Sequence, residues 1–354
     1  MTIGRARAFA AAVLVMLALA GAQAYAADVY HCYFGNTHSH TAYSDGGGTP
    51  ADHFGMAKAA GYDFYAVTDH ALARYTRFTA QSYEDTKQQA GKFTDSTFVG
   101  IAGFEFSEND GPGGTGHLTV LNSAGCLDAT GKSVNLPVFY DWLVTNQATT
   151  VAAAFNHPAP NTYNAFDYLT PSRRDAVTMY EMINSGVPRY DGYIAALEKG
   201  WRVAPIAAED GHGTGRIKND QYRTGVLAPS LTRENILQAM RSRRVYCTWD
   251  KNLHLSFSAN GEMMGSALTS PTSLDFRVTL SDPDISDAND RITKVEIVGQ
   301  NGSVVAAKDF SAHSLTWATT CSPQFRYYFV KAYAADKANG PTAYSAPVWV
   351  EGVE

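Results

Sequence analysis

The sequence predicts an α/β protein in which a barrel of strand-helix units takes up most of the chain and a smaller antiparallel β-sandwich follows it. Three observations lead there. Short apolar runs alternate with helical patterns from Tyr30 to about Ala208. Beyond Val245 the pattern becomes a period-two alternation broken by turn residues. Histidines and carboxylates recur where the predicted strands stop, the place where a parallel barrel gathers its chemistry.

The first stretch is set apart before the elements are read. Arg5 and Arg7 precede an apolar run from about Ala8 to Ala20, followed by the small-residue signal Ala24-Tyr25-Ala26. That is the pattern of a secretory signal peptide, here residues 1–26, with the mature chain beginning near Ala27. The run falls short of the roughly 20 residues a spanning helix needs, so no membrane anchor is expected after cleavage, and the location is periplasmic or secreted. About 330 residues remain, too many for one ordinary core unless it is a large barrel. A division into a barrel over 27–250 and a second module over 251–354 is the natural one.

Removing Arg5 and Arg7 takes the formal net charge from −6 to −8. An acidic chain without basic runs speaks against non-specific nucleic-acid binding as the main task and for a small, phosphorylated or metal-bridged substrate. Cys32, Cys126, Cys247 and Cys321 show no C-x-x-C pair. A zinc-thiolate site is the weaker reading; structural bridges, whose three possible pairings the sequence does not separate, or buried thiols are the stronger ones.

The strands are read from Phe64-Tyr65-Ala66-Val67, Thr97 to Ala102, Val151 to Phe155 and Val203 to Ala207. Between the first two strands Thr49 can cap a helix, Pro50 suits its first position and Gly61 can end it. A last helix runs from about Arg233 to Arg241. The sandwich then extends from about Asn252 to the C-terminus, with Phe325 to Ala334 as its clearest strand and Asn301-Gly302 where a hairpin turn belongs. It carries no cluster of chemistry, which makes it a packing or binding module.

The functional signal lies in the histidines. His38 and His40 flank Ser39 at the end of the first strand, and residues two apart in an extended segment point to the same side, so both imidazoles can reach one ion. H-x-H alone is a weak signal. Asp45 follows in the loop, Asp69-His70 closes the second strand, and Glu105 ends the third. His117 comes after a glycine-rich loop, His157 closes another strand, and Asp210 and His212 follow Ala207-Ala208. Nine ligand-type residues at strand ends are hard to ascribe to chance, although Asp45 alone reads equally as a turn former and His117 as a core histidine.

His38-Ser39-His40-Thr41 with Ser44-Asp45-Gly46, then Thr68-Asp69-His70, resembles the opening of the PHP (polymerase and histidinol phosphatase) superfamily of metal-dependent phosphoesterases. Glu105, His117, Asn156-His157-Pro158 and Asp210-Gly211-His212 resemble its later motifs in order, over about residues 30 to 250. Tyr222-Arg223-Thr224-Gly225 through Arg243-Arg244-Val245-Tyr246 more loosely resembles an exported branch with carbaryl-hydrolase-like enzymes. The resemblance implies a distorted (β/α)7 barrel and two or three divalent ions. One ion would be held by His38, His40, Glu105 and Asp210; Glu105 would bridge to a second with His117 and His157; a third would sit among Asp45, His70 and His212. Closely spaced ions lower the pKa of a bridging water and neutralise developing charge. Imidazole with carboxylate suits zinc, manganese or iron alike.

Other residues carry less. Arg223 and Arg189 are candidates to clamp a phosphate oxygen, against the plainer reading of structural arginines. Tyr180, Glu181 and Asn184 lie on a predicted strand and either face the pocket or complete the barrel. Asp69 is a candidate proton carrier or a strand-end hydrogen-bond partner. Gly111 to Gly116 lacks a following Gly-Lys-Ser/Thr, so it is no nucleotide loop, and no Gly-x-Ser-x-Gly elbow supports a serine hydrolase. The expected activity is hydrolysis of a phosphate mono- or diester with Glu105, Asp210, Asp69 and Arg223 in the catalytic set. A carbamate, ester or amide hydrolase on the same centre, and a non-catalytic binder acting through the sandwich, are the alternatives.

Overall fold

The computed structural model describes residues 29–71, 77–107, 115–127, 129, 134–146, 151–220, 222–335 and 340–353. The expected leader, 1–26, and Gly111 to Gly114 lie outside the described residues.

The chain opens with the two strand-helix units the sequence predicts: β1 (His31–Asn36), α1 (Pro50–Ala59), β2 (Phe64–Val67), α2 (Ala80–Phe93) and β3 (Val99–Ser107). The three strands pair in parallel, Gly35 opposite Phe64 and Phe64 opposite Val99. Thr49 starts α1 with a full capping box, its hydroxyl accepting from the Asp52 amide while the Asp52 carboxylate accepts from the Thr49 amide. Pro50 fills the first helical position, and Gly61 takes the positive φ of 79° that lets the chain leave the helix.

The regular alternation then breaks. β3 pairs antiparallel with β4 (His117–Leu121), which pairs antiparallel with β5 (Ala152–Asn156); α3 (Leu136–Asn146) lies between β4 and β5 in the chain. Parallel order resumes with α4 (Pro171–Ala176), β6 (Met179–Asn184), the short β7 (Val187–Pro188), α5 (Tyr190–Glu198) and β8 (Ala204–Ala208), in the order β5, β6, β8. The end of β8 returns to the end of β1. The Asp210 amide donates to the His38 carbonyl at 3.1 Å and the His40 amide to the Gly211 carbonyl at 2.8 Å. These bonds close a distorted seven-stranded barrel in which the reversed β4 is the distortion.

β9 (Arg223–Ala228) runs antiparallel to β1, and α6 (Arg233–Arg241) leads to β10 (Val245–Thr248), antiparallel to β9. Aromatic side chains fill the space between barrel and helices: Phe155 meets Tyr163, Trp201 and Phe166 with ring centroids 4.6, 5.0 and 5.4 Å away.

The remaining strands are β11 (His254–Ala259), β12 (Glu262–Met263), β13 (Ala267–Thr269), β14 (Leu274–Ser281), β15 (Ile292–Val298), β16 (Val304–Ala312), β17 (Ser314–Cys321), β18 (Tyr327–Ala334), β19 (Ala343–Ser345) and β20 (Val348–Glu351). One sheet has the order β12, β11, β14, β17. The facing strands β16, β15, β18, with β19, β20 and β13, belong to the sheet that continues into the barrel, because β19 pairs with β10, Tyr246 opposite Ser345. Leu274, Phe276, Val278 and Leu280 of β14 are buried and alternate with more exposed residues. Asn301 and Gly302 take positive φ angles of 56° and 74° in the turn from β15 to β16.

The four cysteines are free thiols. Of the readings the sequence left open, the structure therefore has thiols and no bridges: Cys247 is buried, and Cys32 Sγ lies 2.8 Å from the Tyr246 hydroxyl. Among the described residues no helix is long and apolar enough to cross a membrane.

Candidate metal centre

The site is built at the end of the barrel where β1, β2, β3, β5 and β8 stop. Past β1, Ser39 is pinned by its amide on Thr68 Oγ1 and its hydroxyl on the Ala66 carbonyl, which leaves His38 and His40 on the opposite side. Both imidazoles are fully buried, with their Nε2 atoms 2.9 Å apart. Asp210, just past β8, brings Oδ1 to 3.5 Å from His38 Nε2 and 3.2 Å from His40 Nε2. These three residues form one group whose donor atoms all lie within 4.8 Å of one another.

Glu105 occupies the middle. Its Oε2 lies 2.8 Å from His70 Nδ1 and 3.6 Å from His40 Nε2. Its Oε1 lies 3.2 Å from His117 Nδ1, 3.3 Å from His157 Nε2 and 3.5 Å from His38 Nε2. The sequence reading put Glu105 at the end of its strand, but β3 runs on to Ser107 because β4 pairs with it that far. The extra pair has a use: residues 105 and 107 share a face, and Ser107 Oγ contacts His70 Nδ1 at 2.7 Å. On the outer side, Asp45 reaches His70 Nε2 and His212 Nε2 at 3.5 Å and His40 Nδ1 at 3.7 Å. His40, Asp45, His70 and His212 form a second group, and His70, Glu105 and His117 a third.

All nine residues singled out as ligands thus converge. The side chains of His38, His40 and Glu105 are at most 1% exposed, whereas Asp45 is 31% and His212 43% exposed, so the cluster opens to solvent on the Asp45 and His212 side. Two of the nine, His157 and Asp210, have positive φ angles of 34° and 48°. Backbone strain of this kind, typically 1–3 kcal/mol per residue, collects at functional sites.

The electrostatics fit a cation. Burial alone would raise Glu105, but His70, His38 and His117 hold its carboxyl well below the usual range. Asp210 and Asp45 are depressed in the same way by their histidines against burial. Burial pushes His38 down, yet Asp210, Glu181 and Glu105 lift it well above its usual value, and His70, buried but facing Glu105 and Asp45, rises to about 9. For His40 burial wins and the pKa falls. A field that holds protons this firmly also attracts metal ions. His117 Nε2 is buried with no hydrogen-bond partner, as expected of a nitrogen kept for a ligand from outside the chain. The donor set fits divalent metal ions: His38, His40 and Asp210 could hold one, His70, Glu105 and His117 another, and His40, Asp45, His70 and His212 one on the outer side, with His157 reaching Glu105 beside them.

The remaining candidates lie elsewhere or act indirectly. The Asp69 carboxylate accepts from the amides and hydroxyls of both Thr41 and Ser44, which shapes the loop carrying Asp45. Arg223 is buried, stacked 3.6 Å over the Tyr62 ring and donating to the Tyr222 and Lys218 carbonyls. Its guanidinium is thereby committed to the protein interior rather than to the open side of the cluster. Arg189 is the residue before α5. Tyr180 donates to the Arg189 carbonyl at 2.9 Å.

Of the supporting shell, sequence reasoning gave Asn156 no role and left Glu181 between facing the pocket and completing the barrel. Asn156 donates to Glu105 Oε1 at 2.8 Å, and Glu181 takes the Nδ1 side of His38 at 2.7 Å. The period-two pattern of β6 was the one available signal for Glu181, and it does not say which face points inward.

The seven-stranded barrel with one reversed strand is a fold shared with a solved PHP-like protein. The chain is similar to a two-domain protein from Bacteroides vulgatus containing a predicted PHP-like metal-dependent phosphoesterase, with 13% identity, 91% of this chain and 96% of that one covered, and a TM-score of 0.51. It is more distantly similar to an amidohydrolase from Chromobacterium violaceum, with 14% identity, 52% and 89% coverage and a TM-score of 0.37. A lesion-specific endonuclease from Pyrococcus furiosus has 13% identity, 74% and 62% coverage and the same TM-score of 0.37. No protein-family model and no curated protein matches the chain. The first of these likenesses supports the fold, and none distinguishes an exported branch.

Proposed function

We propose that this chain is a metal-dependent hydrolase acting on phosphate mono- or diesters. The observation that carries this reading is the convergence of six imidazoles and three carboxylates, from segments as far apart in sequence as His38 and His212, on shared positions at one barrel mouth. Divalent ions bound there would supply Lewis acidity and a water activated near neutral pH.

The chain's own residues set the rest. Asp45, Glu105 and Asp210 contribute three negative charges, fewer than the six positive charges of three divalent ions, so a loaded centre favours an anionic substrate. The buried side, formed by His38, His40 and Glu105, excludes bulk water; the Asp45 and His212 side admits the substrate. His212, the most exposed of these side chains, stands beside Asp45 on that open side.

The test is paired assay of an aryl phosphodiester and an aryl carbamate with the ions removed by chelator and then restored. Phosphodiester turnover that disappears and returns with the metal is expected. Carbamate turnover alone would replace the substrate assignment, and activity on neither, in a chain that binds no metal, would refute the reading.

A further inference from the structure

Glu181 of β6 is completely buried, belongs to none of the ligand groups, and yet holds two ligands. Its Oε1 accepts from His38 Nδ1 at 2.7 Å. Its Oε2 accepts from the His157 amide at 2.6 Å and from Asn184 Nδ2 at 2.9 Å. A carboxyl group so far from water is costly unless its oxygens have hydrogen-bond partners, and here the partners include His38 and His157.

We propose that Glu181 is a shared positioning residue that sets His38 for one ion and His157 for the next; the inference rests on the metal-dependent reading above. A hydrogen bond from His38 Nδ1 places the ring proton there and leaves the Nε2 lone pair directed at His40, Asp210 and Glu105. The bond from the His157 amide, charge-assisted and short, braces a backbone at φ 34° that histidine seldom adopts. That conformation carries His157 Nε2 to 3.3 Å from Glu105 Oε1. One carboxylate therefore fixes a ring tautomer in one group and a main-chain conformation in the other.

Glu181→Gln tests this at nearly constant volume. A glutamine has one accepting oxygen and must turn its NH2 toward one of the two N–H donors, so either the His38 tautomer or the His157 brace is lost. Zinc affinity is measured by chelator competition on the full chain, together with the visible spectrum of the cobalt-loaded form and the melting temperature of the metal-stripped form. Expected are a roughly 10- to 100-fold weaker zinc affinity and an altered cobalt spectrum. Glu198→Gln, which loses a carboxylate bonded to Tyr327 away from the centre, should leave both unchanged. Should Glu181→Gln fail to fold, Glu181→Asp, too short to reach both donors, is expected to weaken zinc to the same degree. Parent-like affinity and spectrum in whichever variant folds would overturn the proposal while leaving the metal-dependent reading intact. A parent chain that binds no zinc would overturn that reading itself.

Discussion

Glu105→Gln is the most demanding perturbation of the centre, because it removes one charge and almost no volume. The carboxylate oxygens lie between 2.8 and 3.6 Å from nitrogens of five histidines, so any ion held by those histidines is in direct reach of Glu105. A unit charge and a dication about 4 Å apart interact by roughly 8 kcal/mol at an effective dielectric of about 20, twice the single-charge value. The amide oxygen and a replacement water recover about half of this, leaving a net loss of about 4 kcal/mol. That corresponds to roughly a thousandfold weaker binding. Asn156, which donates to Oε1 in the parent, can still donate to the glutamine oxygen, so the fold should persist. The assay is zinc titration against a chelator of known affinity, followed by phosphodiester turnover at matched metal occupancy. A Glu105→Gln chain that kept parental affinity and turnover would refute the placement of Glu105 between ions.

Asp45→Asn should lower the metal content by one ion per chain and leave the inner positions filled, which elemental analysis after dialysis reads directly; an unchanged content would remove the outer site. The metal-stripped chain should lose stability with rising pH. His70 has its folded pKa raised from 6.5 to about 9, so its contribution is full below about pH 6.5 and fades as pH climbs to 9, by about 3 kcal/mol in urea unfolding. Loading with metal should flatten this dependence. Arg223→Met should cost roughly 2 kcal/mol through its carbonyl bonds and the Tyr62 contact, with KM and metal content unchanged; a selective rise in KM would return Arg223 to the substrate site. Phe155→Ala should destabilise by about 3–5 kcal/mol in thermal or urea melts, given its contacts to Tyr163, Phe166 and Trp201.

The parts of the molecule legible in the sequence are those fixed by local chemistry. Thr49, Pro50 and Gly61 mark α1 because capping, a preset φ and a positive φ are single-residue demands. Most of the nine ligand residues stand out because they follow or end an apolar run; Asp45, in a loop, and His117, which opens β4, do not. The reversal at β4 was hidden, since antiparallel β3 and β4 bury both faces and read as continuous apolar runs like parallel strands. The part played by Asn156, and which of its two readings Glu181 would take, were hidden for another reason: a buried carboxylate or amide shows its role only through partners, here 143 positions from Glu181 and 51 from Asn156 in sequence. Arg223 looked like a phosphate clamp because residue type suggests it, and its actual commitment to Tyr62 depends on β9 pairing with β1, whose other neighbour is β2, the strand that follows Tyr62.

The hydrogen bonds between β10 and β19 give the C-terminal strands a structural hold on the barrel half. Severing the gene where the composition changes, near residue 250, would leave β10 without its second neighbour. It would bare a row of main-chain donors and acceptors along Tyr246, Cys247 and Thr248, an open border ready to recruit strands from other copies. The tail is thus the selvedge of this weave, and unfolding it should begin to fray β10 and β9 beside the barrel.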